Sequence, residues 1–132
     1  MDYGPLVREE IEEGEKLARE FDHYAPLKAA FWLKASDDDH RYLYLTSDRI
    51  DEAGVYPAYG EVARLTIQYP PEYLDPMRVK VISGKDPLAQ AAVEYNNRFP
   101  QLRPLRLNWQ MFGGTFIEDG YIYPPLVPAT AS

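Results

Sequence analysis

Two adjacent glycines, Gly113-Gly114, separate residues 105–112 from residues 115–123, and both flanking stretches read as strands. Paired glycines accept positive φ at both central positions of a two-residue turn, so a tight antiparallel hairpin is expected here. A second hairpin is expected where residues 28–35 and 41–47, both rich in aromatics, flank the polar turn Ser36-Asp37-Asp38-Asp39-His40. Three helical stretches interleave with these strands. The sheet must then contain antiparallel pairs, while the β-α-β stretches 41–83 and 78–112 each suit a right-handed parallel crossover. The expected class is α+β, a mixed α/β sandwich of about five strands and three helices, with a mixed sheet and the order α-β-β-α-β-α-β-β.

The first helix is expected over residues 5–22, with Pro5 in the first turn and Leu6, Val7, Ile11, Leu17, Ala18 and Phe21 forming its apolar stripe. Glu9, Glu10, Glu12 and Glu13 crowd its positive end, and Glu12→Lys16 and Glu15→Arg19 are i,i+4 pairs. Gly14 is unfavourable there by roughly 1 kcal/mol relative to Ala. Residues 48–54 read as a polar loop. A second helix spans 57–68, with Tyr59, Val62, Ala63, Leu65 and Thr66 inward, before Tyr69-Pro70-Pro71 ends it. Residues 78–83 form a strand, and Asp86-Pro87 then caps and opens a third helix. In the first hairpin Leu43 and Leu45 alternate with Tyr42 and Tyr44, giving an aliphatic face and a tyrosine face. In the last strand Glu118-Asp119-Gly120 reads as a bulge or bend, and Phe116, Ile117 and Ile122 read as its buried residues.

A chain of 132 residues supports one core, so residues 1–124 are expected as a single compact domain and 125–132 as a loose tail. Fourteen basic against 21 acidic residues give a net charge of −7. That balance disfavours nucleic acid and anionic membranes as partners. The acidity is front-loaded: residues 1–24 carry eight acids and three bases, residues 98–132 two acids and three bases. With no cysteine, disulfides and thiol chemistry are excluded. The start carries neither a basic nor an apolar leader segment, and no apolar run is long enough to span a bilayer, so a cytoplasmic location is expected.

Several constellations resemble chemistry and fail on spacing. Asp37-Asp38-Asp39-His40 lacks the spaced oxygens and turn glycine of a calcium loop, and His23 is the only other imidazole. Glu20-x-x-His23 occurs once, where a di-iron bundle needs two copies and further glutamates. Ser83-Gly84-Lys85-Asp86 lacks the first glycine and the final Ser/Thr of a phosphate loop. No acid is followed two positions later by lysine, as nuclease sites commonly require, and no serine has a nucleophile-elbow frame. Neither a metal nor another cofactor is expected.

Four stretches carry a resemblance. They are Ala29-Ala30-Phe31-Trp32-Leu33, the loop Asp51-Glu52-Ala53-Gly54, the strand-turn-helix Val81 to Leu88, and the ending Phe116-Ile117-Glu118-Asp119-Gly120-Tyr121-Ile122-Tyr123. Over roughly residues 6–124 the chain resembles a widespread group of small, uncharacterised bacterial proteins of similar length. The resemblance implies a bacterial, cytoplasmic, single-domain protein and no catalytic residue. The residues themselves suggest two functions. The first is a non-enzymatic protein-interaction module, meeting a protein partner or a second copy through Tyr42, Tyr44, Tyr121 and Tyr123. The second is a small-molecule binder or minor hydrolase, its site lined by Asp48, Arg49, Asp51, Lys85, Glu118 and Asp119.

Overall fold

The computed structural model describes residues 6–102 and 105–126. Three helices and a five-stranded mixed sheet follow the expected order. Helix α1 spans Arg8–Tyr24, strands β1 and β2 span Ala29–Ala35 and Tyr42–Ser47, and α2 spans Val55–Gln68. Strand β3 (Val79–Ser83), α3 (Pro87–Arg98), β4 (Leu105–Phe112) and β5 (Thr115–Ile122) complete the fold. Pro5, expected to open the first helix, lies outside the described residues, as do residues 127–132 of the expected tail. The helix instead begins after Val7, whose N–H donates to Glu10 Oε1 at 3.2 Å. Helix α2 starts two residues earlier than expected, because a short 3-10 turn at Glu52–Gly54, held by the Asp51 side chain, feeds directly into it.

The strand order is β3-β2-β1-β5-β4. β2 and β3 are parallel, joined by α2 as a crossover, and every other neighbouring pair is antiparallel. The second expected crossover does not form. Strand β4 lies at the opposite edge from β3 and runs antiparallel to it, so α3 carries the chain across the whole sheet.

Each sheet face holds its own core. Leu43, Leu45, Val79, Val81, Trp32 and Tyr123 pack with Leu17, Ala18 and Phe21 of α1 and Ala58, Val62 and Leu65 of α2. Phe31, Leu33, Leu107, Phe112, Ile117 and Ile122 pack beneath Ala92 of α3. Ala58 replaces the expected Tyr59 and Ala63 as an inward residue of α2. Tyr59 remains partly exposed, and its hydroxyl accepts the Val81 N–H at 3.1 Å. Asp86 caps α3 by accepting from the Leu88 N–H, with Pro87 at the first helical position, as the sequence pattern requires. The Gly113-Gly114 hairpin forms with φ of 58° and 85°.

Candidate functional site

Strands β4 and β5 change their inward-facing residues halfway along. On the α3 side lie Leu105 and Leu107, then Phe112. The Gln110 side chain also points there, donating to the Tyr95 hydroxyl of α3. The inward set has moved from odd to even positions, which requires one extra residue near Asn108-Trp109. On β5 the inward residues are Ile122 and Ile117, with Gly120 pressed against Leu33 and Leu107, so the same slip occurs at Glu118-Asp119. Because both strands slip at one level, their mutual register holds from Leu105↔Ile122 to Phe112↔Thr115. Against β1, which does not slip, Lys34 pairs with Asp119 but Ala35 with Ile117. The expected bulge at Glu118-Asp119 is therefore real, and a second one in β4 matches it.

The slip turns both carboxylates toward the face that carries α1 and α2, and each meets a cation there. Glu118 is bonded to Lys34 of β1. Asp119 Oδ2 accepts from Arg41 Nε and Nη2 at 3.0 and 2.9 Å, and both side chains are largely buried, 10% exposed for Arg41 and 16% for Asp119. These ion pairs balance the charge of two acidic side chains set within an otherwise apolar strand.

Trp109 carries the matching slip of β4 at φ 42°. A bulky side chain seldom takes this backbone region, and holding it there costs about 1–2 kcal/mol. Trp109 is 63% exposed, and its ring lies 6.2 Å from that of Phe116, a residue 42% exposed. Met111, the register partner of Phe116, is 59% exposed. Arg106 extends the row, its guanidinium 5.6 Å from the Tyr121 ring. Phe116, expected in the core, is thus part of an open surface, because the cluster under α1 and α2 takes in Tyr121 and Tyr123 at one end of β5 and leaves Phe116 at the other end exposed.

The residues singled out from sequence do not assemble as expected. Asp48, Arg49, Asp51 and Lys85 lie at the end of the sheet where β2 and β3 finish. There Asp48 Oδ1 accepts from Lys28 Nζ at 3.2 Å, and Gly84 lies against the Asp48 side chain. Glu118 and Asp119 lie beside Lys34, at the opposite end of β1, roughly 20 Å away along the strands. The two groups share no site. The four tyrosines also divide. Tyr44 stacks on Phe31 at 5.2 Å on the α3 side, and Lys80 Nζ sits 4.1 Å from the centre of the Tyr42 ring. Tyr121 and Tyr123 belong to the other face. Tyr123 is only 2% exposed and bridges two elements. Its hydroxyl accepts from Trp32 Nε1 at 2.9 Å and donates to the Ile11 carbonyl at 2.6 Å. It has no surface to offer a partner. Burial also raises its phenol well above the ordinary tyrosine value.

Among the described residues no helix is long and apolar enough to cross a membrane. Comparisons with protein-family models, with curated proteins and with solved structures find no match, so the reading of this chain rests on its own geometry.

Proposed function

We propose that the protein is a non-enzymatic interaction module that meets another protein chain through the open corner of the β4–β5 hairpin. One observation carries this reading: Trp109 occupies a costly backbone conformation with its ring in water, beside Phe116 and Met111. Strain kept at an exposed aromatic residue is typical of surfaces held in place for binding. Tryptophan is also the residue most enriched at the energetic centre of protein interfaces. The three side chains offer on the order of 350 Å² of apolar surface, within the range of the largest patch a soluble monomer leaves open.

Site-specific photo-crosslinking in cells that make the protein tests it. A photoreactive side chain at position 109 or 116 is expected to give discrete protein adducts. The same group at Tyr56, 86% exposed on α2, is expected to give none. Equal labelling at all three positions, or none at 109 and 116, overturns the reading.

A further inference from the structure

Between the middle of α1 and the end of α2 lies a cleft of about 280 Å³. Its floor is apolar, made by the buried side chains of Leu17, Leu65 and Leu74. Its walls are fixed without an occupant. The Glu13 carboxylate of α1 accepts three backbone N–H groups of the opposite wall, from Glu72 at 2.8 Å and from Tyr73 and Leu74 at 2.7 Å each. The Tyr69 N–H donates to the Leu65 carbonyl at 2.8 Å, and Pro70-Pro71 stiffens the turn that follows. A cleft held open in this way loses little affinity to ordering when a ligand enters.

Two of the charged groups around the cleft are already occupied. Glu13 is satisfied by its three N–H donors. Arg64, within electrostatic reach of Glu20, is held by both Glu61 oxygens at 2.9 and 2.6 Å and donates to Gln68 at 3.0 Å. Lys16 and Glu20 differ. The partner expected for Lys16, Glu12, pairs with Arg8 instead, and Glu15 pairs with Arg19. Among the described residues neither Lys16, which is exposed, nor Glu20, which is half-buried, has an ion pair or a side-chain hydrogen bond. They line the cleft one helical turn apart, about 6 Å, above the apolar floor. One base and one acid at that spacing match the carboxylate and ammonium carried by a single α-carbon, and the floor matches an apolar side chain. A ligand of one sign would meet a like charge here, whereas a zwitterion sets each charge against its opposite. We infer that this cleft binds a free α-amino acid with a large apolar side chain, its carboxylate on Lys16, its ammonium on Glu20 and its side chain against Leu17, Leu65 and Leu74. The volume suits that class. An apolar cavity of about 150 Å³ takes a benzene ring, so about 280 Å³ accommodates a phenyl or branched aliphatic group with its α-carbon. The cleft lies on α1 and α2, apart from the β4–β5 corner, and needs no partner bound there.

Titration of the purified protein with L-phenylalanine, followed by NMR of isotope-labelled leucine methyl groups, is the test. Saturable shifts at Leu17, Leu65 and Leu74 are expected, with a dissociation constant on the order of 1 mM, which is what a ligand of about a dozen non-hydrogen atoms gives at ordinary efficiency. Removing either charge from the ligand should weaken binding at least ~10-fold. Hydrocinnamate, which lacks the ammonium, and phenethylamine, which lacks the carboxylate, measure this. Glu20→Gln should weaken L-phenylalanine by a similar factor without weakening hydrocinnamate. Lys16→Gln should weaken L-phenylalanine without weakening phenethylamine. The absence of saturable shifts at the three leucines up to about 20 mM overturns the inference, since binding weaker than that reads no charge. Analogues that bind as well as the amino acid overturn it, as do variants that bind L-phenylalanine like the parent. Tighter binding of N-acetyl-phenylalanine amide than of the free amino acid overturns it too, and assigns the cleft to a side chain of a peptide.

Discussion

Gly14 lies in the middle of α1, where helix propensity alone would favour alanine by roughly 1 kcal/mol. A Cβ there would overlap the Tyr123 hydroxyl and press on Trp32 Nε1 at 3.1 Å. The glycine lets the helix backbone settle onto the Trp32–Tyr123 hydrogen bond, and the Ile11 carbonyl completes the chain of donors. Gly14→Ala is therefore expected to destabilise the protein by about 1–3 kcal/mol, the ordinary range for overpacking, despite the better propensity. Chemical denaturation of parent and variant measures it, and a variant as stable as its parent would contradict the packing described here. The sequence marks Gly14 only as a weak point in a helix, since nothing local announces a tyrosine more than a hundred residues away. Trp109 is hidden for a similar reason. An aromatic residue in a strand is ordinarily packed, and its exposure depends on how far along the hairpin the core under α1 and α2 reaches.

Among the elements, the patterns set by short-range chemistry were the readable ones. Gly113-Gly114 demanded a tight hairpin, Asp86-Pro87 demanded a helix start, and period-two alternation marked Leu43 and Leu45 as core. The Glu118-Asp119 pair, two acids in succession within an apolar strand, announced the bulge of β5. Its counterpart in β4 carried no such mark, because Asn108-Trp109 breaks no obvious pattern until the inward positions of both strands are compared. The hairpin turn itself can be tested. Gly113 has φ 58°, and a Cβ there would approach the Pro87 carbonyl oxygen at 2.9 Å and the Leu88 Cα at 3.0 Å, so it is constrained by both conformation and space. Replacing Gly113 and Gly114 together with Val is expected to cost several kcal/mol, to disturb the β4–β5 register and to expose Ile117 and Ile122. Thermal melting with a probe for exposed apolar surface is the measurement. A double variant that melts with the parent would show that the turn tolerates side chains.

For the molecule as a whole, alkaline pH is the revealing perturbation. Burial, with the Asp38 charge behind it, pushes the Tyr44 phenol up to about 12 from an ordinary value of 10.0, and burial pushes Tyr123 further in the same direction. Both are neutral in the folded protein at pH values where an unfolded chain has begun to ionise them. The unfolded state then binds fewer protons, so stability falls as pH rises. The contribution is fully present below pH 10 and is lost from there upward through about 12. Melting temperatures followed together with tyrosinate absorbance should therefore drop across that interval, with most of the absorbance change arriving on unfolding. A melting temperature flat across the interval would count against the burial of both phenols. The strand order has a further consequence, for how the chain folds as it is made. Central β1 has a near neighbour in β2 but receives its other partner only when residues 117–122 arrive. The Trp32–Tyr123 bond closes a loop of 91 residues. Until β5 has been synthesised, Phe31 and Leu33 keep one flank open, and the first hairpin must wait with an unsatisfied edge. Folding should be slow and late, and nascent chains halted before residue 115 should be the species that chaperones and proteases encounter.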